Sequence, residues 1–255
     1  MPRFFVKDSQ IENGIVKIVG NDAFHISRAL RMAAGEHITV CDQVGREYDC
    51  ELVTFAEDFV EGRVVLEKES ESEPAFVAHI YQGLPKGDKL DLIIQKSIEC
   101  GASAITTFES EFCIARAKPE AELKKLERRQ RIALEAAKQC GRGIIPEIYP
   151  TVSFREMLEK AKGSDLVLFC YEDQGTKPIG QYLAGDVLGE IARREGRRPT
   201  VSIIVGSEGG FSQKEAQAAA ELGFKLCGLG KRILRTETAA MFALCCLVYE
   251  SELTK

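Results

Sequence analysis

Residues 201–240 read VSIIVGSEGGFSQKEAQAAAELGFKLCGLGKRILRTETAA, and they contain two strand–turn–helix units in tandem. In the first unit an apolar strand, residues 201–205, leads into a glycine-rich turn at residues 206–210. Ser212 and Glu215 follow with the spacing of a capping box, which predicts the start of a helix. This unit therefore predicts a buried strand, a tight turn and a helix in immediate succession.

The second unit repeats this order within the same stretch. Residues 226–229 predict a short strand, residues 230–235 a turn that begins with glycine, and a helix is predicted from about Thr236. Glycine at the carboxyl end of a strand lets a ligand approach the main chain, and ligands of open α/β sheets bind at these ends. The two turns together predict one pocket, although each alone is as consistent with an ordinary βα turn.

The turns do not match the common nucleotide-binding motifs. Residues 206–210 are not G-x-G-x-x-G, and Ile233 occupies the third glycine position of the motif that would begin at Gly228. The chain also lacks G-x-x-x-x-G-K-[ST]. We therefore expect a ligand that main-chain amides and carbonyls hold between apolar walls, without a phosphate cradle.

The two turns carry a family resemblance. GSEGGFSQKE at residues 206–215 and LGKRILRTETAA at residues 229–240 closely resemble the C-terminal signature of the SPOUT-class RNA methyltransferases, and the RsmE family in particular. Ser207 departs from the proline that this family usually has. The resemblance spans nearly the whole chain, with weaker matches at residues 3–5, 30–31, 35 and 136–142.

The resemblance implies an architecture and an activity. We expect a small N-terminal PUA-like β-barrel at residues 1–72 that binds RNA, and a SPOUT α/β methyltransferase domain at residues 73–255 with a mostly parallel sheet and a trefoil knot. The implied reaction transfers a methyl group from S-adenosyl-L-methionine to N3 of a uridine, uridine 1498, in 16S ribosomal RNA of the small subunit. The class also implies a homodimer.

The chain pattern is consistent with these two domains. Residues 1–72 contain several short strand patterns, including a hairpin across Gly45, and Asn21 and Asp22 are predicted to cap a helix that ends at Gly35. The charged, serine-bearing segment 67–74 is the predicted linker. After it, strand and helix patterns alternate, which predicts a mostly parallel sheet.

Composition limits the remaining possibilities. The net charge is −5 over 255 residues, which argues against a protein that coats nucleic acid nonspecifically. Residues 116–142 nevertheless carry nine basic and four acidic side chains.

No apolar run has the length of a membrane span and the N-terminus lacks a signal-peptide pattern, so we expect a cytoplasmic protein with no membrane contact. The nine cysteines form no C-x-x-C pair, and no metal site is expected.

The candidate site residues come from the two turns and from basic positions elsewhere. Arg235 is predicted to be catalytic because its guanidinium could stabilise a uracil oxygen beside a helix N-terminus. A structural salt bridge to Glu237 is the alternative for this side chain. Glu208 could order its turn, or act as a base if its pKa rose. The residues predicted to bind the cofactor are Val205, Gly206, Glu208, Gly209, Gly210, Leu229, Gly230, Ile233, Leu234, Thr236 and Thr238.

Contacts to RNA are predicted for Arg3, Arg28, Arg31, Gln139, Arg142 and Arg232. The last helix is apolar almost all round at residues 241–248, which indicates burial on more than one side and hence a dimer.

Three alternative functions stay open: an NAD- or nucleotide-dependent α/β enzyme, a SPOUT methyltransferase of another rRNA or tRNA nucleotide, and a noncatalytic ribosome-assembly factor that binds RNA.

Overall fold

A computed structural model describes residues 1–117, 119–173 and 176–254. The chain forms two compact units, Met1–Glu73 with Ala137–Ile145, and Pro74–Ala136 with Pro146–Lys255. Lys255 itself lies outside the described residues. The units differ from the expected division into 1–72 and 73–255, because a later segment of the chain, 137–145, belongs to the first unit.

The first unit is built on a six-stranded sheet. Its strands are β1 (Arg3–Phe5), β2 (Ile11–Glu12), β3 (Ile15–Val19), β4 (His37–Cys41), β5 (Arg46–Phe55) and β6 (Phe59–Glu69). The order is β1-β4-β5-β6-β3-β2, and all neighbours are antiparallel except β1 and β4. Inward side chains such as Ile18, Ile38 and Leu52 form its core. The predicted small β domain and its hairpin across Gly45 are confirmed.

Two local predictions in this unit are wrong. The helical segment starts at α1 (Gly20–Phe24), continues as a π-helical turn at His25–Ala29 and follows Val19 as its N-cap. Asn21 and Asp22 therefore lie inside the first turn, and the helix ends well before Gly35. The predicted linker is also too long, because β6 extends through Glu69 and keeps the first part of that segment paired with β5.

The second unit is an α/β domain around a seven-stranded sheet. The strands are β7 (Val77–Gly83), β8 (Ala102–Glu109), β9 (Glu147–Ser153), β10 (Leu166–Cys170), β11 (Lys177–Pro178), β12 (Thr200–Val205) and β13 (Lys225–Gly228). The order is β11-β13-β10-β12-β7-β8-β9, and every neighbouring pair is parallel. This confirms the predicted sheet, whereas the knot implied by the resemblance stays a prediction.

Helices connect the strands of the second unit. Those that the structure describes are α2 (Lys89–Glu99), α3 (Pro119–Cys140), α4 (Phe154–Ala161), α5 (Gly180–Leu183), α6 (Val187–Glu195), α7 (Gln213–Glu221) and α8 (Thr236–Val248), with α3 ending in the first unit. The predicted capping box at the start of α7 forms, and a second one starts α4: the hydroxyls of Ser212 and Ser153 accept from the amides of Glu215 and Glu156. Over the described residues, no helix combines the length and apolar character needed to cross a membrane.

Candidate functional site

The two glycine-rich turns lie at the carboxyl ends of β12 and β13 and line one cavity of about 1020 Å³. The segment after β10, residues 171–173, lines the same cavity because β10 lies between β12 and β13 in the sheet. Ligand pockets of proteins usually have volumes of about 300–1000 Å³. The cavity is therefore large enough for a cofactor of nucleoside size together with part of a substrate.

A buried amide holds the two turns together. The side chain of Gln82, near the end of β7, is fully buried, and its Nε2 donates to Thr236 Oγ1 at 2.8 Å and to the Gly206 carbonyl at 3.2 Å. The Thr236 hydroxyl donates to the same carbonyl at 2.6 Å. The start of α8 is thereby fixed to the first glycine turn, which gives the cavity a wall built from both turns.

Gly83, the last residue of β7, allows the first turn to pack closely on that strand. A Cβ atom at Gly83 would lie 2.4 Å from the Ser207 amide nitrogen and 2.8 Å from the Gly206 carbonyl carbon. Backbone atoms cannot retreat from such a contact without moving the turn. The position of the turn therefore depends on glycine at residue 83.

Hydrogen bonds from the Lys86 amide and the Lys89 side chain favour the carboxylate form of Glu208. Its oxygens accept from the Lys86 amide at 3.2 and 3.4 Å, and Lys89 Nζ lies 2.9 Å from Oε1. Burial alone would raise the pKa of Glu208, but the bonds from Lys89 and Lys86 outweigh it and leave the pKa below its usual value. Lys89 also lies 3.6 Å from Glu237. This arrangement favours an ordering role for Glu208 over a general base, which would need a raised pKa.

Arg235 is the N-cap residue of α8 and lines the cavity. Its side chain is 83% exposed, and its Nη1 lies 3.9 Å from Glu237 Oε1, which is beyond hydrogen-bond distance. An exposed pair at that separation adds little to stability. The guanidinium is therefore available to a substrate at the rim of the cavity, and the salt bridge is a weak alternative.

The structure brings most of the predicted cofactor residues together. Val205, Gly206, Glu208, Gly209, Gly210, Leu229, Gly230, Ile233, Leu234 and Thr236 all line the cavity, whereas Thr238 does not. Sequence reasoning missed other lining residues, among them Lys89, Cys170, Tyr171, Glu172, Asp173, Ser207, Phe211, Cys227 and Ala239. The residues after β10 could have been found, because residues 165–171 have the apolar pattern of a buried strand and ligands bind at the carboxyl ends of such strands.

The predicted RNA contacts fall into two groups. Arg28, Arg31 and Gln139 are exposed in the first unit, and Arg232 is exposed and lines the cavity of the second. These four remain candidates for RNA contact.

Arg3 and Arg142 are held in ion pairs within the first unit, which disfavours the RNA contacts predicted for them. Arg142 is only 3% exposed and forms a two-bond pair with Glu73, at 2.9 Å from Nε and 2.7 Å from Nη2. Arg3 Nη1 lies 2.8 Å from Glu47 Oε1 within the first unit. Guanidinium groups paired with carboxylates in this way hold the fold, and they do not present their donors to a phosphate.

The described residues contain no group of three or more His, Cys, Asp or Glu side chains that could hold a metal ion. Ser207 lines the cavity but is buried, and its Oγ has no hydrogen-bond partner among the described residues. The cavity lining combines main chain of the two turns with basic side chains, those of Lys89, Arg232 and Arg235.

Comparison with known proteins places the chain in a family. An RNA methyltransferase domain model matches residues 71–248, and an RNA methyltransferase PUA domain model matches residues 19–65. The chain is 34% identical to the ribosomal RNA small subunit methyltransferase E of Bacillus subtilis (strain 168), with 100% of this chain and 99% of the relative covered. The chain therefore belongs to the RNA methyltransferase family, with a PUA domain preceding the methyltransferase domain.

Solved structures agree with this assignment. The crystal structure of a hypothetical protein matches with a TM-score of 0.89 at 33% identity, covering 99% of this chain and 100% of the other. A ribosomal RNA small subunit methyltransferase E from Neisseria gonorrhoeae, bound to S-adenosyl methionine, matches with a TM-score of 0.79 at 31% identity over 97% of both chains. The resemblance seen in residues 206–215 and 229–240 is thus confirmed at the level of the family and the fold.

Proposed function

We propose that this protein is an S-adenosyl-L-methionine-dependent methyltransferase that methylates N3 of a uridine, uridine 1498, in 16S ribosomal RNA of the small subunit. The observation that carries the proposal is the convergence of the two glycine turns on one cavity, with Arg235 at its rim. Membership of the RNA methyltransferase family and the cofactor bound by the Neisseria relative support the same conclusion.

The cavity suits an adenosyl cofactor. Its walls combine main chain of the two turns with apolar side chains such as Leu229 and Leu234. S-Adenosyl-L-methionine carries no phosphate, which matches the absence of a phosphate-binding motif from both turns. When bound, the cofactor supplies a methyl group on a sulfonium centre.

The nucleophile needs help from the protein, because N3 of uridine carries a proton at neutral pH. Loss of that proton to solvent, before N3 attacks the methyl group, puts negative charge on N3 and on the neighbouring carbonyl oxygens. Arg235 and the N-terminus of α8 together supply positive potential where this charge would form. Glu208, whose pKa lies below its usual value, holds Lys89 and orders the turn.

The proposal also includes RNA binding by the first unit and a homodimer. Arg28, Arg31 and Gln139 are exposed there and could contact RNA. In the second unit, α8 buries Leu244 and Leu247 but leaves Phe242 partly exposed. An apolar side chain left exposed on an otherwise buried helix is suited to a second copy of the chain, and light scattering at twice 28.2 kDa would support this.

Gly210→Val is expected to weaken S-adenosyl-L-methionine binding by about tenfold or more, because valine both strains the turn and fills the approach to the main chain. Gly210 has a φ of +67°, and no atom lies within 4 Å of the position of its missing Cβ. Calorimetry measures the affinity. Gly185→Val is the matched control, because Gly185 has a φ of +83°, is equally open and does not line the cavity. Equal loss of cofactor affinity in both variants would contradict this assignment.

A purified-component assay tests the function itself. We expect the protein to transfer a labelled methyl group from S-adenosyl-L-methionine to small ribosomal subunits from cells that lack it, and nuclease digestion should release labelled 3-methyluridine. Label in another nucleoside would indicate a different target for the same chemistry. Binding of RNA without transfer would support the noncatalytic alternative, and tight NAD binding without a response to the adenosyl cofactor would support the NAD-dependent one.

A further inference from the structure

The loop that follows β8, residues 110–117, lies at the protein surface and is held by several hydrogen bonds. The Cys113 amide donates to the Ser110 carbonyl at 3.2 Å, and the Cys113 side chain is buried. The Glu111 amide donates to Glu215 Oε1 at 2.8 Å, which ties the loop to the start of α7. The Ala117 amide donates to Glu109 Oε1 at 2.6 Å and closes the loop. The conformation of the loop is thus set by bonds within its own main chain, to the Glu109 side chain of β8 and to α7.

The loop carries a partly exposed aromatic residue, Phe112, next to the first glycine turn. The Phe112 side chain is 44% exposed, while the neighbouring Cys113 is buried. Phe112 also packs directly on the first glycine turn: a Cβ at Gly209 would lie 2.7 Å from Phe112 Cβ and 2.9 Å from its carbonyl oxygen. Gly209 lines the cavity. The main chain and Cβ of Phe112 are therefore held against a turn that lines the cavity, although Phe112 is not itself one of the lining residues.

The charges around the ring favour a base over a phosphate. Glu109 and Glu111 flank the loop, and the nearby Arg116 is directed to Glu109, at 3.8 Å, and to the Ser110 carbonyl, at 3.3 Å. Carboxylates repel the RNA backbone, whereas an aromatic face attracts an unstacked base whatever the local charge. Enzymes that act on a base take it out of its stack and commonly hold it against aromatic side chains.

We propose that Phe112 is the stacking platform for the uracil that receives the methyl group. This inference rests on the proposed function. The uracil lies against the exposed face of the ring, which sets the distance and angle of N3 relative to the cavity, while Arg235 reaches its carbonyl oxygens from the second turn. Phe112 thereby contributes to the choice of an unpaired base as substrate.

Single-turnover methylation of small subunits from cells lacking the protein tests this role. Phe112→Ala and Phe112→Leu are expected to lower the rate at saturating cofactor by about tenfold or more, the size of one lost base-stacking contact. Phe112→Trp is expected to stay near the wild-type rate, because it keeps an aromatic face. Cofactor affinity and the salt dependence of RNA binding are expected to remain unchanged in all three variants.

Ile114→Ala is the matched control, because Ile114 is 71% exposed in the same loop and is not aromatic. It is expected to keep the wild-type rate. A wild-type rate in Phe112→Leu, or equal losses in Phe112→Ala and Ile114→Ala, would overturn the proposal. A loss of cofactor affinity in Phe112→Leu would assign the residue to the cavity wall and also overturn it. If the wild-type protein itself transfers no methyl group, the proposed function fails first, which keeps the two failures distinguishable.

Discussion

Replacing Arg235 by alanine is expected to slow methyl transfer at saturating RNA and cofactor by about a hundredfold or more, the effect of removing a preorganised charge-stabilising donor. The reason is its position: Arg235 occupies the N-cap position of α8 at the cavity rim, and its guanidinium is largely exposed and makes no close ion pair with Glu237. Cofactor affinity should change little, because main-chain groups are proposed to hold the cofactor. Single-turnover rates measured with each ligand in excess check this.

Two further variants separate the possible roles of Arg235. Arg235→Lys should restore only part of the rate, since lysine cannot present two parallel donors. Arg232→Ala is the matched control, because Arg232 is also exposed and lines the same cavity. If Arg235 only bound an RNA phosphate, Arg235→Ala would raise the RNA concentration needed for half the maximal rate. It would leave the rate at saturating RNA unchanged. Near-wild-type rate, RNA affinity and stability in Arg235→Ala would show that this assignment is wrong.

Replacing Gly83 by alanine is expected to reduce methyl transfer by about a hundredfold, because a displacement on the order of 1 Å at a reacting site has effects of this size. The added methyl would meet the Ser207 amide at 2.4 Å and force the first glycine turn away from β7. The cofactor wall that includes Gly206 would move with it. Calorimetry should show weaker S-adenosyl-L-methionine binding in parallel.

Gly180→Ala serves as the control for Gly83→Ala. Gly180 lies at the start of α5, and no atom lies within 4 Å of its missing Cβ, so the substitution has room. It should preserve both cofactor affinity and rate. Wild-type cofactor affinity in a folded Gly83→Ala protein would contradict the argument that this close approach sets the cavity.

The parts of the fold that depend on neighbouring residues could be predicted from the sequence. The capping boxes at Ser153 and Ser212 each join residues three positions apart, and the apolar run of β12 by itself indicates a buried strand. The two glycine turns and most of their lining residues followed from the strand-end rule. By contrast, β9 lies at one end of the sheet and is mostly exposed, so its sequence lacks the pattern of a buried strand.

The parts that depend on distant residues could not be predicted. Gln82 joins Gly206 and Thr236 over 124 and 154 positions, and Lys89 reaches Glu208 over 119. No local periodicity signals such contacts. For the same reason Arg142 resembled a surface cation in the sequence, although Glu73 holds it in a buried pair.

The most direct test of the account is mass spectrometry of small-subunit ribosomal RNA from cells that lack this protein, with and without complementation. We expect one 3-methyluridine in 16S ribosomal RNA to disappear in these cells, to return with the wild-type protein and to remain nearly absent with Arg235→Ala. An unchanged 3-methyluridine content in cells without the protein would contradict the account.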